Sequence, residues 1–125
     1  MRAVIETEGL THIHLVVRDL DRSLAFYHDV FGVEEMFRDG PHMVFVRTPG
    51  SRDTITLNAD PAEHDRAGRL GGVGHFGFRL KNRSQLDAAI KAVEAAGGRL
   101  VERGERAPGD VFAYVADPDG YLIEL

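Results

Sequence analysis

The feature that most constrains this chain is an order of elements that occurs twice. Thr11 to Val17 is β-branched and apolar and reads as a strand. Asp19 offers an N-cap, Leu20, Leu24, Tyr27 and Phe31 recur at helical spacing, and Gly32 supplies a stop. Three strands are predicted next, at Val33 to Phe37, Met43 to Arg47 and Thr54 to Asn58. Asp39-Gly40-Pro41 and Pro49-Gly50-Ser51 separate them as turns. From Gly74 the order repeats. A strand over Gly74 to Leu80 leads to a helix capped by Asn82 or Ser84, with Leu86, Ile90 and Val93 on its apolar face and Gly97-Gly98 at its end. Strands at Arg99 to Glu102, Val111 to Val115 and Tyr121 to Leu125 follow. The polar stretch 59–71 reads as a linker between modules at 8–58 and 72–125, and the 125 residues form a single domain. The predicted fold class is α+β, two βαβββ modules forming a cupped mixed sheet. Two such units bury together a face that neither covers alone.

Composition works mainly by exclusion. Fifteen Lys+Arg against twenty Asp+Glu leave a net charge of −5, the wrong sign for affinity built on neutralising phosphates, so no nucleic-acid partner is expected. With no cysteine, a disulfide scaffold, a thiolate metal site and a Cys nucleophile all drop out. Met1 to Leu10 carries Arg2, Glu6 and Glu8 and no apolar core, unlike a signal peptide. No apolar run approaches the roughly 20 residues that span a bilayer. The expectation is a cytoplasmic protein with no membrane partner. Gly-rich phosphate loops, a Ser-His-Asp series and nucleotide fingerprints are also missing.

Six histidines in a Cys-free chain are then the main chemical resource. His12 opens the first strand of one module and His75 holds the matching place in the other. Thr56, in Thr-Ile-Thr-Leu, matches Glu124, in Leu-Ile-Glu-Leu. Converging, these four positions would bring together two imidazoles and one carboxylate, the ingredients of a metal site with open coordination positions. Burying Glu124 unpaired would cost several kcal/mol, which a cation offsets. His14 shares a strand face with His12 and either lines the cup as an acid/base or substrate contact or packs. Arg79 shares a face with His75 and is a candidate contact for an anionic group. Thr54, Thr56 and Asn58 form a polar stripe suited to a substrate-lined cavity. His28 and His42 are expected to be surface or helix residues. Arg99, Arg103 and Arg106, interspersed with Glu102 and Glu105, are expected in a solvated mixed-charge segment. Asp117-Pro118-Asp119-Gly120 is a tight turn that aims Glu124 inward.

Leu10-Thr11-His12, Val17-Arg18-Asp19-Leu20, Phe26-Tyr27, Phe31-Gly32, Gly74-His75-Phe76-Gly77-Phe78 and the run from Asp117 to Leu125 together resemble the vicinal oxygen chelate superfamily. That superfamily holds glyoxalase I, extradiol dioxygenases, fosfomycin-resistance transferases and bleomycin-resistance proteins. The resemblance implies paired modules around one divalent metal per chain (Fe, Mn, Ni, Co or Zn) within a homodimer. It assigns the ligands to His12, His75 and Glu124. A metal so held acts as a Lewis acid on a small-molecule substrate with vicinal oxygens. The reaction is left open among dioxygenase-like, lyase, isomerase and transferase chemistry. Glyoxalase I looks like a four-ligand version with a second carboxylate where Thr56 stands, which argues against that assignment. The extradiol dioxygenases are similar around Tyr114-Val115-Ala116-Asp117-Pro118, but their catalytic His has no counterpart near Arg52-Asp53. Tyr114 and His14 are the candidate catalytic proton handlers, and Thr56, Asn58 and Arg79 the candidate substrate contacts. The alternative from another class is a bleomycin-resistance-type protein that sequesters a small molecule without catalysis.

Overall fold

Each half of the chain builds its own four-stranded sheet. The computed structural model describes residues 4–125, so the start of the segment Met1 to Leu10 lies outside the described residues. The first half contains β1 (Ile13–Val16), α1 (Leu20–Phe31), β2 (Glu34–Asp39), β3 (Met43–Arg47) and β4 (Ile55–Asn58). The second contains β5 (Phe76–Gly77), α2 (Leu86–Ala95), β6 (Arg99–Glu105), β7 (Val111–Ala116) and β8 (Leu122–Glu124). The strand orders are β1-β4-β3-β2 and β5-β8-β7-β6, so the two modules share one topology. In each, the first strand runs parallel to the last, and the remaining pairs are antiparallel. A parallel pair needs a crossover, and the intervening helix and hairpin supply it.

Local chemistry sets the boundaries of α1. The Asp19 carboxylate accepts from the Arg22 N–H, and Gly32, at φ 69°, turns its own N–H back to the His28 carbonyl. Ser23, Phe26 and Tyr27 face inward from it. α2 begins differently. Asn82 caps a short 3-10 turn, Arg83–Gln85, which runs into the helix, and Leu86, Ile90 and Val93 form its buried face. The expected strand over Gly74 to Leu80 contracts to two residues. As an edge strand it has only the three-residue β8 to pair with, and the ladder ends where the Phe78 N–H meets the Glu124 carbonyl.

The stretch 59–71 is more ordered than a linker. Pro61–Arg66 forms a 3-10 helix capped by Asp60, and the Asn58 amide donates to Glu63 Oε2 at 2.8 Å. Beyond it, Arg18 donates to the Ala67 carbonyl, and a Cβ on Gly68 would lie 2.2 Å from the Asp119 carbonyl oxygen.

One continuous core joins the halves. Leu15, Val17, Phe26, Tyr27, Val44 and Leu57 pack with Leu86, Ile90, Val93, Val115 and Ile123. Burial of each large side chain contributes about 2 kcal/mol. Polar groups pin the same junction. The buried Tyr27 hydroxyl donates to Asp117 Oδ2 at 2.7 Å, and Tyr121 donates to the Val16 carbonyl at 2.8 Å. The Phe31 and Phe78 rings stack at 4.0 Å. Among the described residues no helix is long and apolar enough to cross a membrane.

Candidate metal centre and its cavities

Strand register decides which side chains share a face. In the first sheet His14 sits opposite Thr56, and Thr56 opposite Phe45. By alternation His12 lies on that face too, while Leu15 and Leu57 point to the core. In the second sheet Glu124 sits opposite Gly77 on one side and Tyr114 on the other. His75 lies on the same face by alternation, two residues before Gly77. The short β5 is enough to fix that register.

The second module assembles the densest cluster. His75 Nε2 lies 3.9 Å from Glu124 Oε1, and the His75 ring meets the Tyr114 ring edge-on at 4.9 Å. Arg106 donates to the same oxygen of Glu124 and lies over the Phe112 ring, 4.4 Å from its centroid. The Tyr114 O–H, aimed from the paired position, holds the Glu124 carboxyl below its ordinary range, with Arg106 and His75 adding to the effect. The same contact raises the Tyr114 hydroxyl, which therefore stays protonated at neutral pH.

The donor set of this half suits a divalent ion. An imidazole nitrogen and a carboxylate oxygen share one face, and two metal–ligand bonds of about 2.1 Å bridge a gap of that size. His12 does not join them within one chain. It opens onto a cavity of about 450 Å³ bounded by β1, Thr54 and Phe76 to Arg79. Among the described residues no three His, Asp or Glu side chains of the chain gather as one metal site.

The first module is chemically milder. Thr56 is 1% exposed, and its Oγ1 is the one buried side-chain polar atom without a hydrogen-bond partner among the described residues. Asn58 is engaged locally: its amide nitrogen donates to Glu63 and faces His14 Nε2 at 3.2 Å, while its oxygen accepts from the Asp60 N–H. His14 is exposed and lines a second cavity, about 470 Å³, with Arg66, Arg69, Leu70, Phe76 and Tyr121. Arg79 lines both the His12 cavity and a third of about 620 Å³ that contains Glu124, Arg83 and Arg106.

The mixed-charge reading of Arg99, Arg103 and Arg106 needs correction at its last member. Arg103 pairs with Asp87 at 2.8 Å, but Arg106 reaches into the cluster around Glu124. A bulge between Leu100 and Glu102 shifts the β6–β7 register, and the Arg106 N–H closes the hairpin onto the Asp110 carbonyl. Charge alternation carries no trace of that bulge, so nothing in the neighbouring residues marks Arg106. His28, by contrast, lies exposed beside Asp29, and His42 is exposed, as their positions imply.

Comparison with known proteins agrees with this frame. The chain is 34% identical over 127 residues to a lactoylglutathione lyase of Arabidopsis thaliana, covering 90% of this chain and 42% of that protein. It is 28% identical over 116 residues to a manganese-dependent 2,3-dihydroxybiphenyl 1,2-dioxygenase of Geobacillus genomosp. 3, covering 91% of this chain and 35% of the other. It thus spans less than half the length of either relative. The fold superposes on the fosfomycin resistance protein FosX of Listeria monocytogenes with a TM-score of 0.76 at 24% identity, covering 96% and 93% of the two chains. The family model for the Glyoxalase/Bleomycin resistance protein/Dioxygenase superfamily matches residues 9–125, and with the duplicated βαβββ frame this makes the chain a member of that superfamily.

Proposed function

We propose that this protein is a divalent-metal-dependent enzyme that acts on a small molecule with vicinal oxygens, and that it works as a homodimer. The ligands are His75 and Glu124 of one copy and His12 of a second copy. The observation that carries this reading is the His75–Glu124 pair, 3.9 Å apart on one sheet face, with no third His, Asp or Glu of the same copy joining it among the described residues. When bound, the metal supplies Lewis-acid stabilisation to oxygens of the substrate.

The chain's own residues do the rest. Tyr114 orients the Glu124 carboxylate from the paired strand and remains a proton donor. His14 is the proton handler on the first sheet. Its Nε2 accepts from the Asn58 amide, which leaves Nδ1 to carry the exchangeable hydrogen. Thr56 offers a hydroxyl where a further carboxylate would make a four-ligand site, so general-base chemistry at that position is disfavoured and glyoxalase I activity with it. Arg79 faces the substrate from the rim of two cavities. The manganese dependence of the dioxygenase relative makes Mn²⁺ the first metal to try.

The test is metal content and oligomeric state of untagged protein, beside His12→Ala, His75→Ala and Glu124→Ala. Near-stoichiometric metal in the parent and its loss in each variant is the expected result. Mixing unfolded His12→Ala and Glu124→Ala chains and refolding them together restores metal to about half of the sites in mixed dimers if the ligands come from two copies, as each mixed dimer then holds one intact set. No recovery on mixing, or retention of metal in the His12 variant, sinks the reading. Turnover of catechols, 2-oxoaldehyde–thiol adducts or fosfomycin by the metal-loaded parent then separates catalysis from sequestration.

A further inference from the structure

One oxygen of Glu124 has two suitors. Oε1 is the atom nearest His75 Nε2, at 3.9 Å, and it is also the atom to which Arg106 Nη2 donates. A cation bridging His75 and Glu124 must therefore approach the oxygen that the guanidinium holds, and two positive charges at that spacing repel. Arg106 is free to leave. Its side chain is 47% exposed, it lies in the turn between β6 and β7, and its guanidinium already rests on the face of Phe112, a contact that does not depend on Glu124.

The space it would turn into is already basic. Arg79, Arg83 and Arg106 line the 620 Å³ cavity beside Glu124, with Asp110 as the other acidic group. Arg83 is tied to the Val111 and Leu125 carbonyls, which fixes its charge at the wall. Arg79 is exposed and pairs with no carboxylate among the described residues. With Glu124 committed to a cation, the three guanidiniums outnumber the acidic side chains of the cavity, and the ligand chemistry that answers them is an oxyanion such as a carboxylate or phosphonate.

We propose that Arg106 is a counter-ion exchanged between Glu124 and the ligand: a divalent cation displaces it from Glu124, and it then holds an oxyanionic group of the substrate together with Arg79. The proposal rests on the metal reading above and adds to it a specificity residue and a substrate class. It makes Arg106 an antagonist of the metal and an ally of the anion, two effects of opposite sign. A merely structural role for Arg106 would weaken both.

The experiment measures Mn²⁺ affinity of the full chain by competition with a fluorescent chelator, for the parent, R106Q, R106K and R79Q. It then measures methylphosphonate binding to each Mn²⁺-loaded protein by calorimetry. R106Q is expected to bind Mn²⁺ roughly two- to fivefold more tightly, the size of a partly exposed ion pair removed. The same variant is expected to bind methylphosphonate about tenfold more weakly, having lost one charged hydrogen-bond donor. R106K should fall between parent and R106Q in both assays, and R79Q should weaken only the anion. If the parent takes up Mn²⁺ and R106Q takes it up no more tightly, or if R106Q keeps the parent's anion affinity, the exchange is overturned while the metal reading stands. If neither protein takes up Mn²⁺, both fall together.

Discussion

The two modules share a strand order and a helix position but not a chemistry. On the open face of the second sheet, His75, Tyr114, Glu124 and Arg106 form one charged, mutually oriented cluster. On the matching face of the first sheet, His12 and His14 are exposed imidazoles, Thr56 is a buried hydroxyl, and Asn58 is occupied in holding the 3-10 turn. The duplication therefore preserves what the backbone needs and lets the side chains diverge. A common frame with unlike faces leaves room for a site whose halves do different work: one orients a carboxylate, the other contributes neutral donors.

The largest expected effect contrasts glycines in the turns that follow the two helices, where Gly97, at φ 95°, is the counterpart of Gly32 and Gly98 lies one place further on. Gly32 ends α1 and Gly98 follows α2, but they are glycine for different reasons. At Gly32 the requirement is φ 69°, and a Cβ there would meet nothing within 4 Å. At Gly98 the requirement is space: a Cβ would lie 2.4 Å from the Ala116 carbonyl oxygen, 2.7 Å from Val93 Cγ1 and 2.9 Å from Phe26 Cε2. Gly98→Ala forces backbone apart at the junction of both halves and should destabilise by about 3 kcal/mol. Gly32→Ala pays only the left-handed penalty of about 1 kcal/mol. Urea melts of the two variants decide the point, and equal losses would mean that the core joining the modules is looser than its packing implies.

This pair also marks what could be read in advance. Both helices, with Asp19 and Gly32 as the boundaries of the first, follow from spacing and cap chemistry, and the duplicated order predicts the shared topology. His75, Glu124 and Tyr114 come together because period-two alternation puts matched positions on one face. The misses are all long-range. Gly97-Gly98 reads as a helix stop, yet nothing local says that Phe26 from the other module presses on Gly98. The two-residue β5 is short because β8 is short, a property of its partner. Arg106 looks like any surface arginine until the bulge in β6 turns it toward Glu124. The stretch 59–71 looks like a linker by composition, but its order comes from Asn58, Arg18 and Asp119 outside it.

A second comparison concerns the turns that precede the last strand of each module. In the first, Asp53 accepts from the Thr48 N–H and hydroxyl in full view of solvent. In the second, the buried Asp117 accepts from three backbone N–H groups, of Asp119, Gly120 and Tyr121, and from the Tyr27 hydroxyl. Burial raises the Asp117 carboxyl above its ordinary 3.8, against the pull of those hydrogen bonds. A carboxyl whose folded value exceeds its unfolded one contributes most below the unfolded value, and that contribution fades as pH rises through the raised one. Asp117→Asn should therefore cost about 1–2 kcal/mol near pH 3 to 4, and the gap to the parent should narrow toward pH 7. Asp53→Asn should stay within about 0.5 kcal/mol. Thermal melts across that range test the sign, and a gap that widens with rising pH would refute the assigned cause.

The smallest effect bears most directly on the division of labour between the faces. Thr56 and Glu124 hold equivalent places on β4 and β8, but Glu124 has Tyr114, Arg106 and His75 about it, while the Thr56 hydroxyl has no partner. A buried hydroxyl without a hydrogen bond costs free energy that an isosteric methyl does not. Thr56→Val should therefore leave stability unchanged or raise it by up to about 1 kcal/mol, and Mn²⁺ uptake should match the parent because no metal ligand is lost. Glu124→Gln, at the equivalent place, should abolish Mn²⁺ uptake while leaving the fold in place, since its side chain is 29% exposed. If Thr56→Val instead costs more than about 1 kcal/mol, the hydroxyl is hydrogen-bonded inside the folded protein. If it also lowers Mn²⁺ affinity, the first module contributes more to the site than His12, and the contrast between the faces is one of ligand strength.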